Sequence, residues 1–206
     1  MRVDPVTDAF AFLTKPSYLE PAWLHYGYWL LTIVSLSIAS AAWHVLAGQA
    51  RPKHLARFAV RFLLATFWWQ QSLWACPTDT SALRYWTDRQ IQHAAYPPQG
   101  MFVKLVILPV FEPFAYGLYA FEVAVAVALA LGLFVRALSA SGALLIFTVF
   151  LGLYRAPQEW PWDDLCLAVL MAVVALENYG HSLGLDAYRE ARSPAGRRRD
   201  AAAVVD

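Results

Sequence analysis

Glu122 is the residue that most needs a chemical account. It lies in the run Tyr119-Ala120-Phe121-Glu122-Val123-Ala124-Val125, with no charged residue for nine positions on either side. A carboxyl group in such surroundings is expensive as an anion, so it needs a partner or a purpose. Gln70 and Gln71 are the natural partners, because they fall at a similar depth in another apolar run. A protonated Glu122 bonded to a Gln amide would be structural, whereas a carboxyl exchanging protons with a ligand would be functional. Position alone leaves both open. The preceding Trp68-Trp69 pair sets flat rings beside these hydrogen-bonding groups. That arrangement suits a quinone ring as well as it suits a packed core.

Other ionisable groups have plainer readings. Arg61 and Glu177 fall toward the same end of two apolar runs and are expected to pair, since neither charge is cheap alone. Asp163 and Asp164 suit the N-terminal dipole of a helix that they begin. Glu112, between Pro109 and Pro113, either faces water or lines a vestibule. Cys76 and Cys166 both fall at one boundary of the apolar runs, where a disulfide is conceivable in an oxidising compartment. Neither belongs to a Cys-x-x-Cys motif, and two unrelated buried thiols are the default. The five histidines are scattered, with no metal-ligand spacing. A haem held by His44 and His181 is only weakly signalled. Phosphate loops and nucleophile elbows are absent.

These groups must be positioned by elements that lie in lipid. Of 206 residues, 59% are hydrophobic and only 15% charged, against about a quarter charged in soluble domains. Disorder and a disulfide framework are excluded by the same figures. A net charge of +1 gives no electrostatic case for nucleic acid. Residues 21–50, 62–78 and 137–154 carry no Asp, Glu, Lys or Arg. About 20 apolar residues cross a bilayer as a helix. The sequence thus predicts an all-α polytopic membrane bundle with five transmembrane helices, near 24–47, 58–76, 111–134, 138–155 and 164–183.

Basic residues orient it. The link between spans one and two, the link between spans three and four, and the tail hold 10 of the 16 Lys and Arg residues. The N-terminus is therefore expected outside and the C-terminus in the cytoplasm of a bacterial inner membrane. An outer helix over 80–95, capped by Thr78 or Asp79 and stopped by Pro97 and Pro98, is expected to lie as a lid on the bundle. Residues 1–20 read as a short exposed arm in which Pro5, Pro16 and Pro21 break any long helix. Past Arg192 a flexible tail carries Arg197, Arg198 and Arg199, suited to anionic lipid headgroups.

Three stretches share a pattern with a known family. They are Arg57-Phe58-Ala59-Val60-Arg61 heading a Trp-rich span, Glu122 followed by Ala130-Leu131-Gly132-Leu133-Phe134-Val135-Arg136, and Trp160-Pro161-Trp162 through Asn178-Tyr179-Gly180 to Leu183-Gly184-Leu185-Asp186. In these the chain resembles the DoxX/DoxD family of small bacterial membrane proteins, which includes the membrane subunit of thiosulfate:quinone oxidoreductase. The resemblance implies a four-helix membrane domain over 57–188. An outer arm at 1–23 and an extra span with its cytoplasmic link at 24–56 would precede it, and a basic tail at 189–206 would follow. The extra span and the Gln-rich exit from span two depart from the family.

The resemblance further implies an integral membrane subunit of a quinone-linked oxidoreductase, with a reduced sulfur compound such as thiosulfate as donor. In that expectation Glu122 binds or protonates quinone oxygen, Gln71 and Trp69 shape the seat, and Arg136 and Arg61 supply positive potential. No metal is expected. A second oxidoreductase subunit would supply the electrons, and a homo-oligomer is compatible with the sequence. The rival is a non-catalytic membrane anchor or assembly partner of such a complex. A small transporter ranks last, because no inverted repeat is visible.

Overall fold

A computed structural model describes residues 4–14, 22–76, 78–157 and 159–192. Part of the expected outer arm, and the tail with its three consecutive arginines, lie outside the described residues. Within them all regular structure is helical.

α1 (Pro5–Thr14) is short. Asp4 opens it, its carboxylate accepting the Val6 N–H at 3.1 Å, and Pro5 takes the first helical position, where its missing N–H costs nothing. α2 (Ala22–Val45) and α3 (Pro52–Trp74) form an antiparallel pair of long helices joined by residues 46–51. α3 begins six residues before the expected 58, because Pro52 is pre-set for a first turn. α4 (Ser81–His93) is the predicted outer helix. The Asp79 carboxylate accepts the Ser81 N–H at 2.9 Å ahead of it. Bonds from the Ser81 hydroxyl and N–H hold the Asp79 carboxyl below the usual carboxylate range.

α4 ends at His93, short of Pro97 and Pro98 as expected, but the two prolines then open a further helix that the sequence reading did not include, α5 (Pro97–Phe102). The chain then passes through a π turn over Val103–Ile107 and a 3-10 turn over Leu108–Val110 into α6 (Phe111–Leu131). Pro109 offers no N–H to the carbonyl four residues back, and the helix absorbs this locally instead of ending. The Leu108 N–H reaches back five residues to the Val103 carbonyl. The result is one apolar rod of 35 residues, Pro97–Leu131, where the sequence places a span only over 111–134.

α7 (Val135–Leu153) returns to the lid end and α8 (Trp162–Leu176) descends again. The sequence places a fifth span over 164–183, whereas the helix found there, α8, ends at Leu176. Asn178 takes a left-handed conformation at φ 46, and a 3-10 turn (Tyr179–His181) and α9 (Leu185–Arg192) follow. Among the described residues, three helices are long and apolar enough to cross a membrane: Tyr26–Val45, Pro97–Leu131 and Val135–Leu153. α3 carries Lys53, Arg57 and Arg61 in its first turns, and 15 residues of α8 span only about 22 Å at about 1.5 Å per residue.

α3 packs along α6, and α7 along α8. Their shared core centres on Trp68, Val125, Leu129, Val135, Met171 and Val174, all fully buried. The Trp68 indole N–H donates to Met171 Sδ at 3.4 Å. Outward faces are apolar too, with Ile33, Leu105, Leu144 and Val169 exposed, as suits a bundle solvated by lipid.

Candidate functional site

The lid end encloses a cavity of about 750 Å³ between α3, α4, α5, α6 and α7, within the range of small-molecule sites. Helical spacing explains its walls. Phe114, Leu118 and Glu122 come from one face of α6, four residues apart, and Leu83, Trp86, Thr87 and Gln90 from one face of α4. The roof is held by main-chain bonds from Ala95 N–H to the Leu151 carbonyl (2.7 Å) and from Arg155 N–H to the His93 carbonyl (3.0 Å). Arg89 adds a bond to the Pro157 carbonyl at 3.1 Å. Gly100 lets α5 approach α4: a Cβ there would lie 2.8 Å from the Ile91 carbonyl oxygen.

Glu122 lines this cavity and is only 8% exposed. Its Oε2 has no hydrogen-bond partner. The predicted bond to Gln70 or Gln71 is not formed. Gln71 does line the same cavity as Glu122, whereas Gln70 is buried in α3. Gln99 is the second lining residue with an orphaned buried oxygen, its Oε1. Glu159 and Asp164 add carboxylates, and no Lys, Arg or His lines the cavity among the described residues.

The other sequence-predicted site residues lie elsewhere. Trp69 turns toward α2, its ring centroid 6.0 Å from that of Tyr28. Tyr28 bonds Thr66 at 2.9 Å between hydroxyls, so this side is core packing. Arg61, fully buried, sits at the opposite end of the bundle. It donates to the carbonyls of Leu129 (2.9 Å), Ser182 (3.3 Å) and Leu183 (3.2 Å). The expected Arg61–Glu177 pair is therefore replaced. Arg57, one turn earlier and half-exposed, meets Glu177 at 2.6 Å, and Arg61 finds carbonyls freed by the end of α6 and the turn after α8. Gly132, at φ 69, permits this closeness, since a Cβ would fall 2.6 Å from Gly184 Cα.

Arg136 is exposed and borders a shallow depression with Asn178, His181, Asp186, Arg189 and Glu190. There the Asp186 carboxylate accepts the N–H groups of Phe134 and Val135, both at 3.2 Å, and His181 Nδ1 lies 2.9 Å from Glu190 Oε2. Arg61 and Arg136 thus share an end, but not the end that holds the cavity.

Both cysteines are free. Cys76 is buried with its Sγ 3.2 Å from the Thr78 hydroxyl. Cys166 is exposed on α8, which corrects the expectation of two buried thiols. No metal-holding cluster of His, Cys, Asp or Glu occurs among the described residues.

Sequence reasoning missed Gln99, Gln90 and Trp86. The spacing 83, 86, 87, 90 on one helix face was a usable signal for the lid residues. Gln99 gave none, because it follows two prolines that read as a stop. No protein-family model, curated protein or solved structure matches this chain.

Proposed function

We propose that this chain is an integral inner-membrane subunit of a quinone-linked oxidoreductase resembling the DoxX/DoxD proteins, with thiosulfate as the candidate donor class. In this reading α3 and α8 join the three long apolar helices to give five spans. The basic end faces the cytoplasm and the lid faces outward. The observation that carries it is the Glu122 carboxyl, buried, lining an apolar cavity and lacking a partner for one oxygen. A buried polar atom without a partner costs stability, and such groups persist where a ligand completes them.

The lining fits a ring-bearing amphiphile. Trp86, Phe102 and Phe114 offer flat apolar contact, and Glu122, Gln71 and Gln99 offer hydrogen bonds. Glu122 would hold a proton at the ligand oxygen, Gln71 and Gln99 would orient the ring, and the lid would exclude water. Trp69, Arg61 and Arg136 are no longer part of the seat, because none of them lines this cavity. Electrons would come from a second subunit. In membranes carrying the whole complex, Glu122→Gln should abolish quinone reduction at unchanged abundance. Wild-type turnover in that variant would remove Glu122 from the mechanism.

One observation favours the rival, a non-catalytic anchor: both terminal nitrogens of Arg61 donate to main-chain carbonyls, as those of a residue holding helices together would. Co-purification with a stable partner and no quinone in lipid extracts would decide for it.

A further inference from the structure

We propose that the cavity around Glu122 opens sideways into the bilayer, through a gap between α5 and α7 latched by Gln99. Its ligand is then a lipid-dissolved amphiphile whose tail stays among the acyl chains while its ring is seated; the identity of the ring rests on the quinone reading above. A side chain that lines a cavity and also faces outside marks a place where the wall is one residue thick. Besides Glu159, the lining residues that do so are Tyr96, Pro98, Phe102 and Thr148. These four belong to α5, the residue before it and α7. Phe102 is 54% exposed and Tyr96 63%, so both rings stand at an opening.

The outside of the gap is apolar. Met101 and Leu105 flank Phe102 along the chain, and Leu144 lies one turn from Thr148; all three are exposed, as suits a surface met by lipid tails. Tyr96 suits the headgroup level, where an amphipathic ring prefers to sit. The two ways out of the cavity are also held differently. Toward the lid, the main-chain bonds of Ala95 to Leu151 and of Arg155 to His93 tie the end of α4 to the end of α7. Between α5 and α7, the one hydrogen bond among the described residues runs from the Gln99 amide nitrogen to the Thr148 carbonyl at 2.7 Å. A side chain leaves such a bond by rotating, whereas main-chain bonds break only when whole elements part. Gln99 Oε1 has no partner, so no second bond fixes the amide. Rotation of Gln99 and of the exposed Phe102 ring widens the gap without moving a helix.

The ligand class follows from which exit a tail can use. An apolar chain drawn out past the exposed carboxylate of Glu159 would enter water and forfeit the hydrophobic gain. Through the gap it passes from acyl chains to the Phe102 ring and never meets water. The seat thus suits a ring on a long apolar tail, delivered and withdrawn by the bilayer, with the Gln99 latch setting how fast it comes and goes.

The test uses the full chain in lipid nanodiscs and decylubiquinone carrying a photoreactive diazirine at the end of its tail. Irradiation should label Met101, Leu105 or Leu144, and an excess of plain decylubiquinone should suppress that label. Thr148→Phe places a larger side chain at an exposed position of the gap. It should slow decylubiquinone capture by about fivefold or more, read by stopped-flow quenching of tryptophan emission. Gln99→Leu removes the latch and should speed capture and release by about threefold or more. Suppressible label confined to the Glu159 rim or to α4, or capture by Thr148→Phe at the wild-type rate, overturns the side entry while leaving the quinone reading in place. Label that excess decylubiquinone fails to suppress at any site overturns both.

Discussion

The guanidinium of Arg61 donates to the Leu129 carbonyl at 2.9 Å, and the same planar fork reaches the Ser182 and Leu183 carbonyls. One fully buried side chain of α3 thereby holds the end of α6 to the turn that precedes α9. Leu183 adopts φ 52 to present its carbonyl, a strained conformation that the surrounding bonds must hold. Gln49 reinforces the turn from both sides, donating to the His181 carbonyl and accepting the Leu183 N–H, each at 2.9 Å.

Arg61→Lys should therefore be far from conservative. It keeps the charge and loses the fork, leaving buried carbonyls unmet at a cost of roughly 2–4 kcal/mol. Limited proteolysis should cut the 179–192 segment faster in this variant. Equal cutting of variant and wild type would mean that the fork does not hold the segment.

Glu122→Leu should raise the thermal stability of the ligand-free protein by about 1–3 kcal/mol, since it removes a buried oxygen without a partner. Decylubiquinone binding should be lost in the same variant. A drop in stability with retained binding would show that the carboxyl is a structural support.

Gly100→Ala should loosen the lid. The added Cβ meets main-chain oxygen of Ile91, which cannot swing aside like a side-chain tip, so α4 and α5 must separate at a cost of about 1–3 kcal/mol. Amide exchange over residues 81–95 should accelerate while α7 stays protected. Unchanged lid protection would contradict this account.

Desolvation, followed by the charges of Lys53, Arg57 and Arg51, pushes the His54 imidazole below its ordinary value of 6.5. Its Nδ1 lies 2.9 Å from the Ser182 hydroxyl, so it belongs to the same joint as Arg61. Because the folded-state value is depressed, the neutral ring favours the docked turn. That contribution is complete above pH 6.5 and is lost as pH falls toward and through the lowered value. NMR titration of labelled histidine should give a midpoint below 6.5. A midpoint above it would reverse the sign.

Cys166 should react with N-ethylmaleimide at least about tenfold faster than Cys76, because thiol reactivity follows access. Cys76 is buried and Cys166 exposed. Non-reducing mass spectrometry should find both as thiols, and a linked peptide would refute the separation.

Composition and charge-free runs were enough to determine an all-helical bundle with apolar helices of membrane-spanning length, because lipid solvent demands internally bonded backbone and tolerates few charges. They also singled out Glu122, since an acid among nine uncharged neighbours on either side is visible in one dimension. Which groups meet it was not visible there. Gln71 and Gln99 reach the Glu122 cavity from different helices, and Trp69 misses it by facing α2. Arg57 takes Glu177 in place of Arg61, one helical turn along, while the carbonyls left free at the end of α6 and in the turn after α8 accept from the two terminal nitrogens of Arg61. Helix ends and prolines fell between the two. Pro109 reads as a helix breaker, yet the backbone absorbs it through a π turn, packed against α4, and continues. Spacing along the chain records which side chains share a face, while the rotation of each helix against its neighbours, fixed only when the core closes, decides what that face meets.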